Sequence, residues 1–210
     1  MDSRSTYLAT ATIALELLRD PAVATSWDRP SALSEWRVSG LAGHLARAVT
    51  TVEQYLVDEA PAGQRVTAGG YYALVIDTED LSSDLHRTIR QRGDEMADEG
   101  HTALADRVSS SLHRLRERLP TQPLQRTVTV FAGTAMELDQ YLATRLVELV
   151  VHCDDLALSV GIATPELPAD AYRLVTEALI DTARQRHGDL AVVRALARRE
   201  RDGIEALRVF

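Results

Sequence analysis

The chain is 210 residues long, a length one domain can fill, and 45% of its residues are hydrophobic, enough to bury a sizeable core. Its 23 basic and 31 acidic side chains leave a formal net charge of -8, which gives broad nucleic-acid binding no electrostatic footing. A lone cysteine, Cys153, excludes an internal disulfide; the first residues lack the basic and apolar regions of a secretory leader, and no stretch approaches ~18 consecutive apolar residues, so a cytoplasmic protein that spans no membrane is expected.

Apolar residues recur at three- and four-residue spacing, and no two neighbouring runs alternate as paired strands do, so the pattern predicts an all-α protein. The first helix is expected over about residues 4 to 19, with Leu8, Ile13, Leu15, Leu17 and Leu18 inward and a stop at Asp20-Pro21. After a connection carrying Trp27 and Pro30, Ser39 is the expected N-cap of a second helix over roughly 40 to 58. Leu41, Leu45, Ala48, Val49, Val52 and Leu56 form its apolar stripe, and Pro61 and Gly63 end it. Residues 80 to 97 and 102 to 119 read as two charged amphipathic helices parted near Gly100, the second closed by Pro120 and Pro123. The run from Thr127 to Phe131 has no evident pairing partner and is expected to be a connector. The most apolar helix follows over about 135 to 160 and ends at Gly161; two more, about 169 to 187 and 189 to 201, are split at Gly188. The segments 4 to 19, 40 to 58, 102 to 119 and 135 to 160 make the expected four-helix bundle, with the last two helices packed outside it.

At ~100° per residue, Tyr141, Arg145, Glu148, His152 and Asp155 fall within an arc of roughly 80°, while Leu142, Leu146, Leu149, Val150 and Leu156 lie elsewhere around the helix. Burying a carboxylate, an imidazole and a guanidinium on one line is costly unless they pair with one another or hold a metal. Glu148 and His152 stand at i and i+4, where two side chains of one helix can converge on one ion; a structural Arg145, Glu148 and His152 hydrogen-bond network is the competing reading. A third ligand must come from another helix. His44, mid-helix beside Leu41, Leu45 and Ala48, is the candidate, against the alternative of a satisfied core histidine. His86, His101, His113 and His187 stand in charged contexts and read as solvent-facing.

Arg145 is a candidate for an anionic substrate group or for pairing with Glu148, and Asp155 for accepting the second N–H of His152 or for a plain surface charge. Cys153 points about 100° away from its neighbour His152 and reads as a small buried hydrophobe. Trp27 and Trp36 are expected to pack the loop between the first two helices. Arg184, Arg186, Arg194, Arg198, Arg199 and Arg201 are expected on a solvated face. Every basic residue is arginine, and asparagine is missing as well, a composition typical of a GC-rich genome. Without lysine there is no Schiff-base chemistry, no lysine general base and no P-loop.

The segment Trp27-x2-Pro30-Ser31-x-Leu33-x2-Trp36-x-Val38-x2-Leu41-x2-His44-Leu45, followed about a hundred residues later by Thr144-Arg145-x2-Glu148-x3-His152-x2-Asp155-Leu156, resembles the N-terminal domain of mycothiol-dependent maleylpyruvate isomerases. That domain belongs to the DinB-like superfamily of metal-binding four-helix bundles. The resemblance covers roughly residues 5 to 162, so the expected division is a DinB-like metal-binding bundle over 1–162 and a C-terminal helical extension over 163–210 packed on the same domain. The extension is similar to that of actinobacterial relatives and not to the separate C-terminal domain of the isomerase.

The resemblance implies that His44, Glu148 and His152 are the ligands of a divalent metal, zinc in the family, with nickel, iron or manganese compatible with the same donors. It implies mycothiol as thiol cosubstrate and an isomerase or S-transferase in which the metal activates that thiol toward a small electrophile. Arg145 and Asp155 are the remaining candidate catalytic residues. The expected partners are the thiol and the electrophile, with no nucleic acid and no membrane, and the chain is expected to be a monomer or homodimer. A non-catalytic metal- or ligand-binding bundle and a hydrolase using metal-bound water are the rival readings. A zinc anti-sigma module would need a cysteine-rich site that this chain lacks.

Overall fold

Asp2 caps the first helix, its carboxylate accepting from the backbone N–H groups of Arg4 and Ser5 at 3.0 and 2.9 Å, and α1 runs over Ser3–Leu18. The computed structural model describes residues 2–57, 65–75, 83–130, 133–197 and 203–209. The break at Asp20-Pro21 also begins a new element. The Asp20 carboxylate accepts from the Ala22 N–H at 2.7 Å and Pro21 takes the first helical position, giving the short α2, Pro21–Thr25.

The next helix, α3, spans Val38–Tyr55 and starts earlier than its side chains suggest. Ser39 lies inside it, and the N-cap is Arg37, whose side chain makes no capping bond. Backbone pairing sets this start instead: Pro30 bridges Arg37, and the Val38 N–H donates to the Arg29 carbonyl at 3.0 Å. All six residues of the apolar stripe from Leu41 to Leu56 are buried. Pro61 and Gly63 lie outside the described residues.

A helix with no counterpart in the spacing pattern, α4, spans Ala68–Val75. Then come α5 over Asp84–Ala97, capped by Ser83, and α6 over His101–Arg118; residues 80 to 82 of the expected helix are outside the described residues. The connector expected from Thr127 onward is a strand. β1, Thr127–Thr129, pairs antiparallel with β2, Ala135–Glu137, with Val128 opposite Met136. Its partner is the start of what reads as the apolar helix, so the pairing is hidden in a helical pattern; Phe131 is outside the described residues. That helix, α7, spans Leu138–Val160, and Gly161 at φ 75 closes it in the left-handed conformation that glycine reaches without a Cβ clash. Two further helices follow, α8 over Ala169–His187 and α9 over Asp189–Ala197.

Helices α1, α3, α6 and α7 surround the main core, in which Tyr7, Leu45, Val108, Leu112, Leu142 and Leu149 are fully buried. On α1, Leu15, Leu17 and Leu18 are buried as expected, but Leu8 and Ile13 are only half-buried; Tyr7, Ala11 and Ala14 take the innermost positions. Helix α5 lies against α3 at backbone distance: a Cβ on Gly43 would stand 2.0 Å from the Gly93 carbonyl oxygen, and one on Gly93 would stand 2.6 Å from the Gly40 carbonyl oxygen. Helix α8 packs on α4 and α7 and adds Ala171, Val175 and Ala178 to the main core. Val192 of α9 joins Ala183 and Val209 in a separate small cluster. No described helix is long and apolar enough to cross a membrane.

Candidate metal centre and its pocket

The polar line of α7 faces α3 and α4 inside the bundle. His44 of α3 brings its Nε2 within 3.0 Å of Glu148 Oε2, and His152 Nε2 stands 3.3 Å from the same oxygen. The two imidazole rings meet edge to face, 4.7 Å between centroids. One ligand atom each from His44, Glu148 and His152 lie within 4.8 Å of one another, so the triad can bind a metal. Behind it, His152 Nδ1 is 2.9 Å from Asp155 Oδ2. The Tyr72 hydroxyl lies 2.9 Å from the Thr144 carbonyl oxygen and 3.0 Å from Glu148 Oε1, sharing its one hydrogen between them. Arg145 pairs only loosely with Glu148, at 3.9 Å from Oε1; its guanidinium stacks over the Tyr141 ring at 5.2 Å, and its Nε donates to Thr144 Oγ1 at 3.2 Å.

Burial pushes the His44 ring below the usual histidine range, with the Glu148 hydrogen bond only partly opposing it, so this ring is neutral at pH 7. Burial also disfavours charge on His152, but its hydrogen bonds to Asp155 and Glu148 outweigh that penalty and push it up to about 9. Burial works against the Glu148 carboxylate too, yet hydrogen bonds from His152 and His44 and the nearby Arg145 charge hold it well below the usual range. In the metal-free chain the centre is therefore an anionic Glu148 between a cationic His152 and a neutral His44.

A pH dependence follows. The folded, metal-free chain keeps the His152 proton up to about pH 9, whereas the unfolded chain releases it near 6.5. The stabilisation from this group is complete below pH 6.5 and is lost as the pH rises to 9, with a slope of at most about 1.4 kcal/mol per pH unit. Denaturant midpoints of metal-free protein should fall across this window, and His152→Ala should remove that slope; identical slopes in the two proteins would refute the assignment.

Two imidazole nitrogens and one carboxylate oxygen suit zinc or another divalent first-row ion. His152 already has the carboxylate partner on its second nitrogen that ligating histidines generally have. His44 Nδ1 is buried without a partner, so the hydrogen bonding of that ring is confined to Nε2, the nitrogen that faces the triad. The residues fit a metal. Asp155→Asn and Tyr72→Phe act one step behind the ligands, and each should weaken zinc binding by about 10- to 100-fold in a competitive chelator titration. Unchanged affinity in both would remove their assigned roles.

His44 and Glu148 of the triad line a cavity of about 130 Å³. On α3 its wall is the line His44, Arg47, Thr51 and Tyr55; α7 supplies Tyr141, Arg145 and Glu148, α4 supplies Tyr71 and Tyr72, and α5 supplies Thr88 and Arg92. Asp155, like His152, is not in the cavity wall, and it meets the site only through the His152 ring. Residue spacing does not single out Tyr72, because Gly69-Gly70 hides α4. The α3 line was within reach, since its residues stand three or four apart like the line on α7.

Elsewhere, His113 and His187 are exposed, but His86 and His101 are half-buried, the His101 ring edge-on to Trp27 at 5.6 Å. Trp36 packs the loop and also covers His44, 5.2 Å between rings. Cys153 is fully buried, and burial pushes its thiol up to about 12. Arg186 is not on a solvated face: it donates to the Tyr72 and Val209 carbonyls at 2.9 and 2.8 Å, tying α8 to α4 and to the C-terminal segment. Arg184 is exposed and pairs with Asp189 at 2.6 Å, Arg194 is exposed, and Arg198, Arg199 and Arg201 are outside the described residues.

Neither the curated proteins nor the solved structures contain a match to the chain. Residues 8–157, which carry all three triad residues and Asp155, match the mycothiol maleylpyruvate isomerase N-terminal domain. With more than half of its length matched and with an all-α, DinB-like arrangement of helices around the His44, Glu148 and His152 triad, the chain belongs to the mycothiol maleylpyruvate isomerase N-terminal domain family.

Proposed function

We propose that the chain is a metal-dependent enzyme that uses a low-molecular-weight thiol, mycothiol, on a small electrophile, as an isomerase or S-transferase. The observation that carries this reading is the convergence of His44, Glu148 and His152 within 4.8 Å, with His44 and Glu148 in the wall of a cavity. His44, Glu148 and His152 would hold a divalent ion, zinc first and nickel, iron or manganese as alternatives, and the chemistry it would supply there is a lowered thiol pKa, giving a thiolate at neutral pH.

The chain's own side chains prepare the site. Asp155 fixes the His152 ring with Nε2 toward the triad, and Tyr72 engages Glu148 Oε1 while Oε2 faces both histidines. Burial keeps His44 neutral, the state in which an imidazole ligates. The cavity wall offers no cysteine and no serine among the described residues, and Thr51 Oγ1 is engaged by the Arg47 carbonyl and the Tyr141 hydroxyl at 2.6 and 3.1 Å. With no lysine in the chain and the Cys153 thiol buried, an external nucleophile is the economical source.

The test supplies zinc-loaded protein with mycothiol and a panel of electrophiles and follows conjugate formation or isomerisation against His152→Ala. Thiol-dependent turnover lost in the variant is expected. Turnover without thiol would make the protein a hydrolase, and stoichiometric metal with no turnover would make it a non-catalytic binding bundle.

A further inference from the structure

We propose that Asp181 and Arg186 of α8 clamp the two ends of α4 and so act as positioning residues of the metal centre, holding the Tyr72 hydroxyl on Glu148. Helix α4 has little to hold it in place by itself. It is eight residues long, well short of the about 12 to 15 at which an isolated helix becomes marginally stable, and it carries Gly69 and Gly70. Yet it supplies the hydroxyl that lies 3.0 Å from Glu148 Oε1. At the N-terminal end, Thr67 Oγ1 accepts from the Gly70 N–H at 3.0 Å as a cap and donates to Asp181 Oδ2 at 2.9 Å. Asp181 also lies over Gly69 so closely that a Cβ there would stand 2.4 Å from the same oxygen.

At the C-terminal end, the Tyr72 carbonyl is among the last four of α4, which find no partner within the helix. Arg186 donates to it at 2.9 Å, while its other terminal nitrogen donates to the Val209 carbonyl at 2.8 Å. A cation at this end also suits the helix dipole. The clamp thus grips the backbone of the very residue whose side chain reaches Glu148. Both clamp residues lie beyond residues 8–157, so the C-terminal extension supports a centre whose three candidate ligands all belong to the family domain. The role in the metal centre rests on the proposed function, whereas the grip on α4 requires no metal.

The experiment measures zinc affinity by competitive chelator titration of the full chain carrying Arg186→Met, Tyr72→Phe or both, together with hydrogen exchange of the metal-free proteins. Arg186→Met keeps the length of the side chain and removes its donors. It should weaken zinc by about tenfold, the lower end of the range for supporting residues, and should add less than about twofold in the Tyr72→Phe background. The visible absorption of the cobalt-loaded protein, which follows ligand geometry, should shift in Arg186→Met in the direction it shifts in Tyr72→Phe. Amides of α4 should lose protection in Arg186→Met while those of α3 and α7 keep theirs. Asp181→Ala, at the other end of the helix, should reproduce this pattern and stands in if the Arg186 variant does not fold. A folded Arg186→Met protein with unchanged zinc affinity, an effect that adds fully to that of Tyr72→Phe, or equal loss of protection in α3, α4 and α7 would each overturn the proposal. Selective loss of α4 protection in a protein that takes up no zinc would uphold the clamp and sink the metal reading. Full zinc uptake that neither clamp variant alters would do the reverse.

Discussion

His44→Ala, Glu148→Gln and His152→Ala are each expected to lower bound zinc from about one equivalent to none after dialysis, as read by elemental analysis. A site with three protein ligands has none to spare, so loss of one exceeds the about 10- to 100-fold weakening that follows from disturbing a supporting residue. Stability must be read alongside. Removing His152 leaves the Glu148 and Asp155 carboxylates without the imidazolium between them, and breaking a buried pair in this way costs about 3 to 5 kcal/mol. Glu148→Gln keeps the side-chain shape and removes the charge, so it separates metal loss from unfolding. A folded Glu148→Gln or His152→Ala protein that retains a full equivalent of zinc would show that the triad is a hydrogen-bond network only.

Gly43→Ala is expected to destabilise the fold by about 3 kcal/mol, the upper end of ordinary overpacking, because the new Cβ would meet the Gly93 carbonyl oxygen at 2.0 Å and that oxygen belongs to a helix backbone. For a chain of this size that corresponds to a fall of roughly 6 to 12 °C in Tm. Gly70→Ala is the control. Its nearest atom is Thr67 Oγ1 at 3.3 Å, on a side chain at the start of α4, so replacing a helical glycine there should be neutral or stabilising by up to about 1 kcal/mol. A melting temperature unchanged by Gly43→Ala would mean that α3 and α5 do not touch through these glycines. Since α5 carries Thr88 and Arg92, the same substitution should also loosen that wall of the cavity.

The helices legible in the sequence carry local signals at their ends, and α3, α6 and α7 also mark their inward faces with large apolar side chains. Gly161 ended α7 and Gly188 parted α8 from α9 because a left-handed or extended turn there favours glycine. The α7 line was legible for the same reason: five polar residues at helical spacing stand out on a buried helix. The attachment of α5 to α3 was not, because it is made by the absence of side chains at Gly43 and Gly93, which periodicity counts as weak helix rather than as contact. Helix α4 was hidden in the same way. Gly69 faces α8, where a Cβ would come within 2.4 Å of an Asp181 carboxylate oxygen, and tertiary packing overrides the poor helix propensity. With α4 unseen, Tyr72 could not be placed beside Glu148. The β1 and β2 pair failed for a different reason, since a three-residue strand paired with the leading residues of a helix leaves no alternation long enough to register.

The small cluster of Ala183, Val192 and Val209 gives the chain two levels of opening. It buries three apolar side chains, while Leu190, Val193 and Leu196 of α9 remain exposed, so little apolar area is lost when α9 lifts away. In hydrogen exchange, amides of α9 should lose protection through a local opening, whereas those of α3 and α7, in the main core, should keep it until the bundle itself unfolds; equal protection in the three helices would refute this. All three triad residues sit on α3 and α7. The triad is thus expected to come apart only with the cooperative unfolding of the bundle, after the C-terminal helix has opened.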